Sequence, residues 1–123
     1  MLFETKAALE GLATIHRNPA HRAWMRLLGQ VLRLGEGRAE FLHHGERAWA
    51  SATFAGTRHS IALSFSGQEA VAAGERLIAA LPDHEFDVPG HLVADAAITE
   101  VSHSANPSPI LLVEMEILLL EDL

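Results

Sequence analysis

The sequence predicts a single two-layer α+β domain, in which a mostly antiparallel sheet packs against helices. Three observations support this fold: two N-terminal segments with helical periodicity, an alternating segment with a turn signal, and a later helix between stretches of strand character. A chain of 123 residues is the size of one ordinary domain with one hydrophobic core. We therefore expect residues 1–123 to form one domain, with two N-terminal helices and one helix between β-hairpins.

The N-terminal part of the chain predicts two helices. In residues 4–16, leucine and isoleucine recur on one side at helical spacing. Asn18 and Pro19 then suit the N-cap and the first position of a second helix. That helix should run from residue 19 to 34 and end at Gly35. Its apolar residues cover about half of its circumference, which is wide for one packing surface.

An alternating segment, residues 48–65, predicts a β-hairpin. Gly56 and Thr57 suit a two-residue turn of the type that requires glycine first. One face of this hairpin is polar except for Trp49. A shorter strand is expected before it, at residues 39–44.

The third predicted helix spans residues 66–82. Ser66 lies three residues before Glu69, a capping-box pattern, and Pro82 ends the segment. Gly74 lies on the apolar side of this helix, where glycine costs about 1 kcal/mol relative to alanine. We therefore expect a close backbone contact at Gly74.

The last third of the chain predicts more strands, at residues 84–88, 91–103 and 109–122. Pro89 and Gly90 fit the central positions of a type II turn. If the chain folds back tightly there, His84 lies opposite Asp95, which would make a histidine–aspartate pair.

The histidines do not predict a metal site. The sequence contains neither H-E-x-x-H nor H-x-H. His43 and His44 are adjacent, and adjacent strand residues project to opposite faces. His59 falls on an apolar face, where a hydrogen-bonded histidine at the edge of the core is expected. We therefore predict no metal and no cofactor.

Charge is unevenly distributed along the chain, whose net charge is −7. Residues 1–60 contain eight basic and five acidic side chains, whereas residues 61–123 contain one basic and eleven acidic. Arg22, Arg26 and Arg33 gather on one side of the second helix. They are either solvated or available to an acidic protein partner or a small anionic ligand.

Several partners and compartments are disfavoured. A negative net charge and an aromatic content of 6% argue against nucleic-acid binding. The longest apolar runs are too short to cross a bilayer, so no membrane partner is expected. The absence of cysteine and of a signal-peptide pattern favours the cytoplasm. Eight arginines against one lysine, with abundant alanine and glycine, indicate GC-rich bacterial coding.

Catalytic patterns are weak, and whether the protein is an enzyme stays open. The G-x-S-x-G motif is absent, and the expected capping role of Ser66 explains that serine. Glu114 and Glu116 share one strand face, a spacing compatible with paired-carboxylate chemistry. We interpret them instead as charges that guard a strand against edge-to-edge aggregation.

Three functions remain. The first is a non-enzymatic interaction or structural protein that self-associates. The second is a binding domain for an organic acid or a nucleotide, and its proposed ligand-binding residues are Trp49, Ser51, Thr53, Ser60, Ser64, His84 and Asp95. The third is a hydrolase or metal-dependent enzyme that uses histidine and carboxylate groups.

Self-association as a homodimer follows from two features of the sequence. The second helix has a wide apolar arc, which includes Trp24, and residues 110–120 offer apolar side chains, including Leu118, to both strand faces. The basic N-terminal half could also meet the acidic C-terminal half of a second copy.

Overall fold

The computed structural model describes residues 18–121 and consists of a helix, a hairpin, a second helix and a second hairpin. The elements are α1 (Pro19–Leu34), β1 (Glu40–Ala50), β2 (Ala55–Ser66), α2 (Gln68–Ala80), a 3-10 turn (Leu81–Asp83), β3 (His91–Ser104) and β4 (Ile110–Glu121). The α+β prediction is confirmed, including the helix between hairpins. Within residues 18–121 one helix, not two, precedes the sheet, and the helix predicted at 4–16 lies outside the described residues.

The four strands form one antiparallel sheet in the order β1-β2-β4-β3. Side chains alternate between its two faces, and both helices pack on the same face, which we term the inner face. The inner face of the two central strands forms the centre of the core, with Ile61, Leu63, Phe65, Val113, Met115 and Ile117 all buried. The opposite side is the outer face.

Helix α1 begins and ends where the sequence predicts. The side chain of Asn18 accepts a hydrogen bond from the backbone N–H of Ala20 at 2.9 Å, and Gly35 follows the last turn. The wide apolar arc is largely used within the chain, because Trp24 and Leu27 are buried. Met25 stays 49% exposed. No helix in residues 18–121 is long and apolar enough to span a bilayer.

Helix α2 differs from the prediction at its start. Its N-cap is Gly67, at φ 94°, and no side chain caps it, so the predicted capping box at Ser66 is wrong. The close contact at Gly74 is confirmed. A Cβ atom there would lie 2.8 Å from both Leu111 Cδ2 and the ring of Phe65, so only glycine allows the helix to pack this closely.

The first hairpin turns earlier than the sequence predicts. The chain reverses at residues 51–54, where the backbone N–H of Ser51 donates to the carbonyl of Phe54 at 2.8 Å. The Ser51 hydroxyl accepts from the backbone N–H groups of Thr53 and Phe54. This local side-chain capping fixes the turn, so the predicted turn at Gly56 is wrong. The short strand predicted at 39–44 is the first part of β1.

The segment before β3 is not a strand. Residues 84–88 are irregular, so the strand predicted there is wrong. The turn at Pro89 and Gly90 is confirmed, because the N–H of His91 donates to the Val88 carbonyl at 3.0 Å and Gly90 has φ 77°.

The predicted pairing of His84 with Asp95 is also wrong. Strand β3 pairs along its length with β4, which places Asp95 opposite Leu118. A type II turn twists poorly for a tight hairpin, and β3 instead meets the strand that follows it in the chain.

We expect Gly56→Ala to lower the free energy of unfolding by about 1–3 kcal/mol. A Cβ atom on Gly56 would collide with the Leu119 carbonyl oxygen and lie 2.9 Å from Leu120 Cα. Gly29→Ala is the matched control, because an added Cβ there meets no atom within 4 Å and lies inside α1. That control should raise stability by about 0.5–1 kcal/mol. Urea denaturation measures both, and equal effects would contradict the predicted crowding at Gly56.

Candidate functional site

Two histidines and a carboxylate converge on the inner face of the first hairpin. His44 Nε2 lies 2.9 Å from His59 Nδ1, and His59 Nδ1 lies 3.8 Å from Glu46 Oε2. One ligand atom from each of the three residues lies within 4.8 Å of the other two. We term these three residues the histidine cluster.

Strand geometry explains why these residues meet. His44 and Glu46 are two positions apart on β1, so both project to the inner face. Glu46 lies directly opposite His59 on β2. A β-bulge between Phe41 and His43 shifts the register next to the cluster.

Helix α1 covers the cluster with an aromatic ring. Trp24 stacks on His44 with ring centroids 3.5 Å apart and an interplanar angle of 6°, and its centroid lies 5.0 Å from that of His59. His59 is buried and His44 partly buried, whereas the Glu46 side chain is 63% exposed. Helix α1 therefore covers one side of the cluster, and the cluster is accessible to solvent at Glu46.

Burial controls the protonation of both imidazoles. It lowers the pKa of His59 to about 4, with a further lowering by His44 that outweighs the opposing charge of Glu46. Burial also lowers the pKa of His44. Both rings are therefore neutral at pH 7, and each presents one nitrogen lone pair.

The sequence anticipated part of this cluster. His59 is a hydrogen-bonded histidine at the edge of the core, as predicted. Its partner His44 was missed, because a two-residue turn at Gly56 and Thr57 would place Phe54, and not a residue of the histidine cluster, opposite His59. The i, i+2 spacing of His44 and Glu46 was the available signal, and only the true hairpin register places it opposite His59.

A second candidate surface is the outer face, where like charges lie directly opposite each other. Arg47 on β1 pairs with Arg58 on β2, and Glu100 on β3 pairs with Glu114 on β4. The pKa of Glu114 is raised by a hydrogen bond with Glu100 and by the negative charge of Glu100. In the part of the chain that the structure describes, neither arginine forms an ion pair.

The outer face is thus divided by charge. Its β1–β2 half, which we term the basic half, contains Arg47 and Arg58. Its β4–β3 half, the acidic half, contains Asp95, Glu100, Glu114 and Glu116. Because β4 lies in the interior of the sheet, the interpretation of Glu114 and Glu116 as guards of an edge strand is wrong.

The residues predicted to bind a small ligand are dispersed. Trp49, Ser60 and Ser64 lie on the outer face, opposite α1 and α2, while Ser51 and Thr53 lie in the hairpin turn. Helix α1 therefore does not cover these residues, and it does not form a pocket over them. Their role in binding a ligand stays a prediction.

His84 and Asp95 are separated in the same way. His84 makes an edge-to-face contact with Phe86, with ring centroids 4.6 Å apart. Asp95 lies on the outer face of β3, opposite Leu118. The structure therefore does not bring this predicted pair together.

A groove of about 490 Å³ runs between α1 and residues 84–87, and two of the predicted arginines line it. Arg26 binds Asp87 through a 2.9 Å ion pair and a 3.0 Å bond to its carbonyl. Gln30 donates to the same carbonyl and accepts from the Asp87 N–H. The acidic C-terminal half thus neutralises Arg26 within the molecule, and Arg33 stays exposed.

Comparisons with known proteins give one structural similarity. No protein-family model matches the sequence, and no curated protein matches it. Among solved structures, the type 4 fimbrial biogenesis protein PilO from Pseudomonas aeruginosa aligns with 98% of this chain and 86% of its own, at 20% identity and a TM-score of 0.42. A similarity of this extent is too low to transfer a function.

The histidine cluster predicts an acid-sensitive fold. The unfolded state takes up a proton on His59 near the ordinary pKa of 6.5, whereas the folded state resists protonation until about pH 4. The contribution of His59 to the free energy of unfolding is therefore fully present above pH 6.5 and is lost as the pH falls towards 4. The melting temperature, measured with a chelator present, should fall across that window. His59→Gln should flatten the dependence, and an unchanged slope in that variant would contradict the assignment.

Proposed function

We propose that this chain is a non-enzymatic interaction protein that forms a homodimer through its outer face. The observation that carries this proposal is the pairing of like charges across neighbouring strands, Arg47 with Arg58 and Glu100 with Glu114. Like charges directly opposite each other destabilise an isolated sheet. A second copy of the chain can supply opposite charge to both halves of the face.

The strand order supports a specific two-fold arrangement. A two-fold axis that lies between two outer faces and runs parallel to the strands places β1 over β3 of the partner subunit, and β2 over β4. One row across the sheet contains Arg47, Arg58, Leu118 and Asp95. In this arrangement Arg47 faces Asp95 of the partner subunit, and the reciprocal contact forms as well, as a two-fold interface requires.

Neighbouring rows are compatible with the same arrangement. At one end, Trp49 faces Leu92 of the partner subunit, and Leu92 is 57% exposed within the chain. Towards the other end, His43 faces Glu100 of the partner subunit. Leu118 is already buried, so pairing of charges contributes more here than new burial of that leucine.

Trp24 does not belong to this interface. It is 8% exposed and stacks on the histidine cluster under α1, so we base the dimer on the sheet and not on the helix arc. We propose that the dimer acts in the bacterial cytoplasm, with which a chain that lacks cysteine is compatible.

The alternative functions receive less support from the geometry. Ser51 and Thr53 lie in the hairpin turn, where the Ser51 hydroxyl accepts from the Thr53 N–H, whereas Ser60 lies within the sheet. A small-ligand pocket that these residues share is therefore not favoured. In residues 18–121 the serines form no hydrogen bond with a histidine, which leaves hydrolase chemistry without a nucleophile and base pair.

A charge-exchange experiment tests this dimer. Arg47→Asp alone and Asp95→Arg alone each turn two attractions into two repulsions, so each homodimer should weaken about tenfold or more, equivalent to about 1.4 kcal/mol. An equimolar mixture of the two variants should form a heterodimer with near parental affinity, because position 47 of each chain then meets an opposite charge at position 95. Sedimentation velocity across a dilution series measures all three.

Matched controls carry the same charge changes elsewhere. Arg33→Asp on α1 and Glu75→Arg on α2 are exposed and lie on the helix layer, away from the outer face. They should leave the dimer unchanged. A monomeric parent chain would refute the homodimer, and a dimer that tolerates both single variants at position 47 and position 95 would refute this interface.

A further inference from the structure

We infer that the histidine cluster binds one divalent transition-metal ion of the zinc type, through His44 Nε2, His59 Nδ1 and Glu46 Oε2. Two imidazole nitrogens and one carboxylate oxygen are the ligand set that such ions prefer. All three donor atoms already lie within 4.8 Å of one another. This site lies on the inner face, independent of the proposed dimer on the outer face.

The donor separations fit coordination after small side-chain movements. Two donors at about 2.1 Å from one ion are about 3.0 Å apart for a right-angled arrangement and about 3.4 Å apart for a tetrahedral one. The observed separations are 2.9 Å between the two nitrogens and 3.8 Å between His59 Nδ1 and Glu46 Oε2. Both separations are close to these values, and the third, between His44 and Glu46, is within 4.8 Å. Rotation of the exposed Glu46 side chain would bring its oxygen towards both nitrogens.

The proton balance is simple. In the hydrogen bond between His44 and His59, one ring nitrogen carries the proton and donates, and the nitrogen of the other ring accepts the hydrogen bond. When a metal ion binds between these nitrogens, the ring that donated the hydrogen bond moves its proton to its other nitrogen. No oxidant or reductant is needed. Each ring then binds the ion through a lone pair, as a neutral imidazole does.

The surroundings of the cluster also suit an ion. Trp24 holds the His44 ring at 3.5 Å and fixes its plane, which reduces the ordering cost of binding. His59 lies on β2, an interior strand of the sheet, and is only 3% exposed. The exposed Glu46 makes one side of the cluster accessible to solvent, so water would complete the coordination sphere beyond the three protein ligands.

The position of the site suggests what the ion contributes. Its ligands come from β1 and β2, and the ring that covers it comes from α1. Because an ion that binds only the folded state stabilises that state, the metal would strengthen the attachment of the edge strand β1.

Zinc binding to protein purified without a histidine tag tests this inference. After treatment with a chelator and its removal, isothermal titration with zinc chloride should give one ion per chain, and zinc should raise the melting temperature. Glu46→Gln keeps size and an exposed position, so the fold is retained and zinc affinity should fall at least tenfold. His44→Gln should reduce it further.

His43→Gln is the matched control, because His43 is the next residue on β1 but lies on the outer face. That variant should bind zinc as the parent does. Absence of zinc binding by the parent overturns the site, and so does binding that Glu46→Gln leaves unchanged. Arg47→Asp should still bind zinc, which separates failure of the site from failure of the dimer.

Discussion

The pairing of β2 with β4 is the constraint on which the rest of this structure depends. It runs without a register shift from Gly56 opposite Leu120 to Ser66 opposite Ile110. Because side chains alternate along both strands, this one register decides which residues enter the core and which form the outer face. A slip by one residue would move Ser64 to the inner face, in the centre of the core, and Leu63 to the outer face. Large buried side chains on both strands, with Phe65 and Met115 among them, oppose such a slip.

The same alternation separates the two candidate sites. Arg58 and His59 are consecutive residues, yet one contributes to the basic half of the outer face and the other to the histidine cluster. A central strand thus supplies charge to one surface and a nitrogen ligand to the other. This arrangement needs no dedicated loop, and the neighbouring strand β1 supplies Arg47 to the basic half and both His44 and Glu46 to the histidine cluster. The sheet therefore positions both sites more rigidly than loops would.

Local patterns predicted the elements that depend on local chemistry. The ends of α1 at Asn18 and Gly35 and the close contact at Gly74 follow from capping and packing rules that act over a few residues. The turn at residues 51–54 was not predicted, because the alternation of polar and apolar residues in this segment is typical of a strand. The turn is stabilised by hydrogen bonds to the side chain of Ser51. The histidine cluster depended on that turn. A turn placed four residues late changes every cross-strand partner, so no rule about histidine spacing alone could have paired His44 with His59.

The contacts of Asp87 with α1 have a mechanical consequence. Its carbonyl, its N–H and its carboxylate are all held by Arg26 and Gln30, so an irregular segment is tied to a helix at three points. Four residues later the chain enters β3, the edge strand of the acidic half. These contacts couple the position of α1 to the first residues of that strand. Because α1 also lies against the histidine cluster on β1 and β2, this one helix links the two opposite edges of the sheet.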